Sequence, residues 1–265
     1  MIQRAQINGI EMAYRIDGPD NGPVVVMSNS LMSSLEMWDD TIVGLTDKYR
    51  VVRYDTRGHG RTEVTSPGPY SIPMLGGDLI ALMDHLKIAR AHLVGLSMGG
   101  MICQFVGANF PDRVLSLSLC NTASEMPPRS LWEDRIAAAK AQGIASLKEG
   151  TIKRWLVDGF PAANPQKIEK IEAMILGTPL DGYVACAGAI RDMAQTTMLL
   201  KIKAPTQIIA GEKDPATTVD NAIVLNRMIE GSELSIIKNA AHLSNIEKPA
   251  EFNQFLRTFL DKVAK

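Results

Sequence analysis

The stretch Ala91-His92-Leu93-Val94-Gly95-Leu96-Ser97-Met98-Gly99-Gly100-Met101 decides the fold. A short apolar run, His92 to Val94, meets Gly95-Leu96-Ser97-Met98-Gly99, and a helical pattern follows from Gly100 to Asn109. The order is strand, tight turn, helix. In so sharp a turn the serine backbone is strained, and glycines two residues to either side are needed because a Cβ there would meet the neighbouring strand or helix. Ser97 is thereby held at the tip. The helix that starts beside it points unpaired N–H groups and the positive end of its dipole at any anion formed there. A bare G-x-S-x-G is a weak signal in a chain with 21 glycines; the strand before it and the helix after it give it weight.

Outward from this turn the chain alternates strands and helices. Arg4 to Ile7 and Met12 to Arg15, broken by Asn8-Gly9, read as a hairpin. Val24 to Met27 suits a strand buried on both faces, and Arg50 to Tyr54 a second one. Between them a helix is expected from about Trp38 through Leu45, and Ser71 should cap another running to about Leu86. After the elbow come a strand at Val114 to Cys120 and, beyond Pro205, strands at Thr206 to Ala210 and Glu233 to Ile237, with helices from Val219 to Met228 and Pro249 to Val263. From 122 to 200 strand-like runs vanish and helical patterns take over: Trp132 to Ala141, Ile144 to Leu156, Pro165 to Leu176 and Tyr183 to Met193. We expect one large α/β domain: residues 1–121 and 201–265 as a mostly parallel sheet with helices on both faces, and 122–200 as a helical cap. Functional loops should gather at the C-terminal ends of the parallel strands.

With 265 residues, 46% of them hydrophobic, the chain is long enough for a generous core. A net charge of -1 favours neither nucleic acid nor anionic membrane as a partner. The three cysteines occupy apolar positions, which suits reduced thiols, and neither an apolar leader nor an apolar run of membrane-spanning length is seen; a cytoplasmic protein is expected.

A serine hydroxyl needs a base, and only four histidines are available. His59, between glycines in Asp55-Thr56-Arg57-Gly58-His59-Gly60, reads as a turn residue with no metal-ligand spacing around it. His85 lies within a helix, and His92 enters the strand before the elbow, pointing away from the turn. His242 follows a strand directly, at the sheet edge expected to carry Ser97. The base requires an acid to fix its tautomer, and Asp214 lies at that same edge; Glu212 competes but sits closer to the strand, in the turn. Asn121, after the strand ending at Cys120, cannot provide a carboxylate. The order Ser, Asp, His suits this architecture. For the oxyanion, the Met98 amide supplies one donor and the Leu31 amide, after Val24 to Met27, is the candidate for the second. No metal is expected.

These residues resemble the α/β-hydrolase superfamily over nearly the whole chain, through Gly95 to Gly99, Asp55 to Gly60, Asp214 and His242. Within it the sequence is similar to the 3-oxoadipate enol-lactonases of the β-ketoadipate pathway. The resemblance is carried by Asn29-Ser30-Leu31, Gly68-Pro69-Tyr70-Ser71-Ile72, Leu119-Cys120-Asn121-Thr122-Ala123, Ile190-Arg191-Asp192-Met193, Asp214-Pro215-Ala216-Thr217 and Ala240-Ala241-His242-Leu243-Ser244-Asn245-Ile246-Glu247. Asn29-Ser30 replaces the His-Gly usual in the wider superfamily, a change that enol-lactonases share; Thr62 stands where serine is common.

The resemblance implies a cofactor-free serine hydrolase that opens a small anionic lactone, with Ser97, His242 and Asp214 as its triad. Because that substrate carries a carboxylate, Trp132 and Arg135, three apart on a cap helix, are expected to help bind it, with Arg154, Trp155 and Arg191 as weaker candidates. Activity should decline below about pH 6.5, where imidazole protonates. Two alternatives stand beside this expectation: a general carboxylesterase or carbon-carbon bond hydrolase on the same triad, and a ligand-binding protein that keeps the fold without turnover.

Overall fold

The computed structural model describes residues 1–65 and 68–264. Eight strands form one sheet: β1 (Gln3–Ile7), β2 (Ile10–Asp17), β3 (Val24–Ser28), β4 (Arg50–Tyr54), β5 (Ala91–Leu96), β6 (Val114–Cys120), β7 (Thr206–Gly211) and β8 (Glu233–Ile237). Their spatial order is β1-β2-β4-β3-β5-β6-β7-β8. β2 pairs antiparallel with both β1 and β4, and every pairing from β4 to β8 is parallel. The opening hairpin turns at Asn8 and Gly9, both at positive φ (50° and 77°), which the two-residue turn requires.

The chain runs from β3 outward to β4, then returns to place β5 on the other side of β3. The strand order therefore reverses between β3 and β5, the place where open α/β sheets hold their ligands. All six residues of β5 are buried, as a continuous apolar run between two helical layers demands. The helices Ile72–His85 and Met98–Asn109 pack on each other, and the latter covers β3, β5 and β6. Pro249–Val263 packs on β6, β7 and β8. Its buried Phe252, Leu256, Phe259 and Leu260 form one stripe at helical spacing, each contributing about 1.5–3 kcal/mol by leaving water. Ser71 accepts from the Met74 amide, capping its helix as its sequence position indicates.

The helix expected from Trp38 through Leu45 is instead a 3₁₀ turn at Leu35–Trp38 and a single α turn at Asp39–Ile42. The tighter winding goes with the Trp38 indole donating to Asn29 Oδ1 at 2.8 Å, a fully buried bond that helical periodicity does not reveal. Between β6 and β7 the main helices are Arg129–Gln142, Lys148–Trp155, Pro165–Leu176 and Leu180–Asp192, and no strand occurs there among the described residues. Nor, among those residues, is any single helix long and apolar enough to cross a membrane.

Candidate active site

Ser97 follows β5 directly and caps the Met98–Asn109 helix with φ 56° and ψ -118°, a conformation uncommon for a residue with a Cβ. Two glycines make the turn feasible. A Cβ on Gly95 would lie 2.2 Å from the Gly99 carbonyl oxygen, and one on Gly99 would lie 2.0 Å from that of Ser28. The second contact brings the end of β3 against the elbow. The loop that follows β3 is anchored by Asn29, whose Nδ2 donates to the Tyr54 carbonyl at 2.7 Å while Oδ1 accepts from Trp38. Leu31 lies in that loop. Neither its amide nor that of Met98 donates to a backbone carbonyl among the described residues, and both belong to chain segments beside Ser97.

His242 leaves the loop after β8 and Asp214 the loop after β7. Asp214 Oδ2 receives His242 Nδ1 at 2.8 Å, Thr217 Oγ1 at 2.6 Å and Asn121 Nδ2 at 3.0 Å; Oδ1 receives the amides of Ala216 at 2.9 Å and Thr217 at 3.1 Å. Burial pushes the Asp214 carboxyl upward. The positive charge available on His242 and the hydrogen bonds from His242, Thr217 and Asn121 outweigh burial, so the group sits below the usual carboxylate range. With the carboxylate on its Nδ1, the imidazole presents Nε2 away from Asp214. Ser97 and His242 line one cavity, with no direct hydrogen bond between them in this geometry. Such contacts in free hydrolases are often long and tighten with substrate.

That cavity is small, with a volume of about 40 Å³. Ser30, Leu31, Ser97, Ala216, Thr217 and His242 form its floor, and Trp132, Arg135, Arg154 and Trp155, from the helices between β6 and β7, line it as well. No aspartate or glutamate lines it. The Arg135 guanidinium lies 4.8 Å from the Trp132 ring centroid, a stacked cation, and its buried Nε has no hydrogen-bond partner. Arg154 donates to Thr151 Oγ1 at 3.2 Å; burial first, then the charge of Arg135, lowers its pKa to about 10. Two cations facing one cavity without an acid create a site for an anion.

The remaining candidates fall elsewhere. Arg191 forms a bidentate pair with Asp192 at 2.7 and 2.9 Å, outside the cavity. Glu212 is exposed and accepts from the Asn239 amide. His59 is fully buried in its turn, 3.4 Å from the Arg57 carbonyl, and burial lowers its pKa to about 4. His92 bonds Ser116 Oγ at 2.8 Å within the sheet, and His85 is exposed against Tyr14. Thr62 donates to the Asp55 carbonyl and accepts from the Ala13 amide, tasks that need only its hydroxyl. No metal-binding cluster occurs among the described residues.

Asn121, which has no carboxylate of its own, bonds that of Asp214. Besides Asp214, its Nδ2 reaches the Ala241 carbonyl at 3.1 Å, and its Oδ1 accepts from Ser244 Oγ at 2.6 Å. Its φ of 40° turns the chain sharply at the end of β6, and an asparagine directly after an apolar strand is the only trace of this in the sequence.

A strained serine between β5 and a helix, with a histidine and an aspartate delivered by later strands of the same sheet, is the arrangement of one fold family, and residues 23–249 match its sequence profile, described as "alpha/beta hydrolase fold". The chain belongs to the α/β-hydrolase family. Among its relatives, it is similar to 3-oxoadipate enol-lactonase 2 of Acinetobacter baylyi, 35% identical over 96% of this chain and 94% of that protein. It is likewise similar to the crystal structure of the enol-lactonase from Burkholderia xenovorans, with 37% identity, a TM-score of 0.95 and coverage of 98% of this chain and 100% of the other. A thermophilic esterase from Thermogutta terrifontis, in a malate-bound structure, superposes with a TM-score of 0.92 at 27% identity, each chain covered fully.

Proposed function

We propose that this protein is a cytoplasmic serine hydrolase that opens the enol-lactone of 3-oxoadipate with water, yielding 3-oxoadipate in the breakdown of aromatic compounds. Residues 1–121 and 201–265 form its catalytic core, and residues 122–200 a helical cap. Ser97 attacks the ring carbonyl while His242 takes its proton, and Asp214 stabilises the imidazolium. The tetrahedral oxyanion is received by the Leu31 and Met98 amides, the latter at the positive end of a helix. Collapse expels the ring oxygen as an enolate, which His242 protonates, and ketonisation of the enol draws the step forward. His242 then activates water against the acyl-enzyme, and Ser97 is released with the carboxylic acid. No cofactor enters the cycle.

The observation that carries the substrate class is the cavity's charge. Arg135 and Arg154 face it, no acidic residue lines it, and the serine and histidine stand in its floor. A small ester with a free carboxylate satisfies the cations while its carbonyl reaches Ser97. The resemblance to two enol-lactonases over nearly the full chain supports the same reading. The test is the loss of enol-lactone absorbance with purified protein. Turnover should be present in the wild type and absent in Ser97→Ala, and a serine-reactive phosphonate should label Ser97 alone. Rapid turnover of neutral acyl esters with none of the lactone would instead assign a general carboxylesterase, which the apolar wall of Met32, Met101, Met126 and Ile190 would also accept. Phosphonate that fails to label Ser97 would point to a protein that binds without turnover.

A further inference from the structure

Glu247 lies outside the triad and outside the cavity lining, at the end of the short helix Ser244–Glu247 that follows His242. Its carboxylate is buried and spans two pieces of chain: Oε2 accepts the Ala241 amide at 2.5 Å and Oε1 accepts the Val157 amide at 2.6 Å. Ala241 immediately precedes His242. Val157 belongs to the cap, two residues after Trp155 and three after Arg154. On the other side of the histidine, the Leu243 amide donates to the Trp155 carbonyl at 3.0 Å. The backbone on both sides of His242 is thus tied to the stretch Trp155–Val157, once directly and once through Glu247.

We propose that Glu247 is a positioning residue that fixes the general base and the substrate-binding part of the cap in one register, so that His242 on one side and Trp155 and Arg154 on the other are set together around the substrate. The inference rests on the reading of Ser97, His242 and Asp214 as a hydrolytic triad and extends it to how the cap and the base are held. A neutral side chain cannot replace the carboxylate. Both partners are N–H donors, and an amide offers one acceptor and one donor, leaving one of them facing an NH₂. Two backbone carbonyls, those of Trp155 and Leu243, complete the junction, the latter accepting from the Glu247 amide at 3.0 Å.

Burial holds the Glu247 carboxyl above its usual value, against the Val157 and Ala241 amides and Lys248, which favour the ionised form, while the charge of Asp214 adds to the upward push.

Two variants test this. Glu247→Gln removes one acceptor from the junction. Val157→Pro removes the cap-side donor, and Leu156, with φ -132° and ψ 146°, already has the conformation required before proline. Each is compared with the wild type for thermal midpoint, for kcat and KM on p-nitrophenyl acetate as a neutral ester, and for the same constants on the enol-lactone. Glu247→Gln should lower kcat on the neutral ester on the order of 10- to 100-fold, because the base is misplaced, with phosphonate labelling of Ser97 slowed in parallel. Val157→Pro should leave neutral-ester kcat within about threefold and raise KM for the anionic lactone about 3- to 10-fold. Folded Glu247→Gln protein with a lowered midpoint but unchanged constants on both substrates would overturn the proposal. Were that variant insoluble, an unchanged lactone KM in Val157→Pro would overturn it equally. A wild type that cleaves the ester and ignores the lactone would refute the substrate assignment alone, since Glu247→Gln on the neutral ester still decides the role of Glu247.

Discussion

Replacing Asp214 by asparagine tests the proposed catalytic unit most directly, because the surrounding donors dictate how the new amide must sit. Asp214 Oδ1 receives two backbone amides, from Ala216 and Thr217, which cannot turn away. The asparagine oxygen must therefore occupy that position, and its NH₂ must take the place of Oδ2, facing His242 Nδ1, Thr217 Oγ1 and Asn121 Nδ2. An NH₂ beside Nδ1 makes that nitrogen an acceptor and moves the imidazole proton to Nε2. The ring then cannot take a proton from Ser97. A wrong tautomer of this kind lowers kcat by about 10⁴-fold in a triad that works in this way, equivalent to about 5 kcal/mol in the barrier. Stability should suffer less. The Thr217 hydroxyl can rotate to accept from the new amide, and the unfavourable pairing is confined to Asn121 Nδ2, costing about 1–3 kcal/mol. Steady-state kinetics on the lactone and on a neutral ester, with urea titrations of both proteins, measure the two effects separately. A folded Asp214→Asn protein that keeps more than a tenth of wild-type kcat at neutral pH would refute the assignment of Asp214 as the group that orients His242.

Three further outcomes are expected. Arg135→Ala should raise KM for the anionic lactone much more than for a neutral ester, and Arg154→Met should act in the same direction; equal effects on both substrates would defeat the assignment of these cations to the substrate carboxylate. Asp214 has a folded-state pKa below that of the unfolded chain, so its stabilisation is present above the unfolded value of about 3.9 and is lost as pH falls through the lower folded value. The stability difference between wild type and Asp214→Asn, followed by urea unfolding, should accordingly shrink below about pH 4. Gly99→Ala should destabilise by at least about 2–3 kcal/mol because its Cβ meets the Ser28 carbonyl oxygen at 2.0 Å, whereas Gly188→Ala, in a helix and with nothing within 4 Å of the added carbon, should stabilise by about 0.5–1 kcal/mol in thermal or urea unfolding.

Much of the architecture was legible because its signals are local. β4, β6 and β8, and the helices Pro165–Leu176, Val219–Met228 and Pro249–Val263, begin and end where their apolar periods and flanking turn residues place them. The elbow was legible because its geometry is encoded within five residues. At Trp38 to Leu45 the apolar period suggests a helix where a 3₁₀ turn and a single α turn stand, with Trp38 bonded to Asn29 nine residues earlier, and Arg191 pairs with Asp192 and does not line the cavity. Arg154 and Trp155 could be named as candidates, but their orientation toward the cavity depends on how the helices pack.

The sequence by itself determined the alternation of strands and helices, the strained serine between two glycines, and the residue types available as base and acid, since each is written in contiguous residues and in a small inventory of histidines. Only the tertiary structure decided what surrounds them: Asn121 reaching Asp214 across 93 positions, Glu247 joining the loop of His242 to Val157 across 90, and two arginines left without acids around one cavity. Parallel crossovers and a long helical excursion bring these groups together. A carboxylate's partners are set by where the chain returns in space, which no local pattern records.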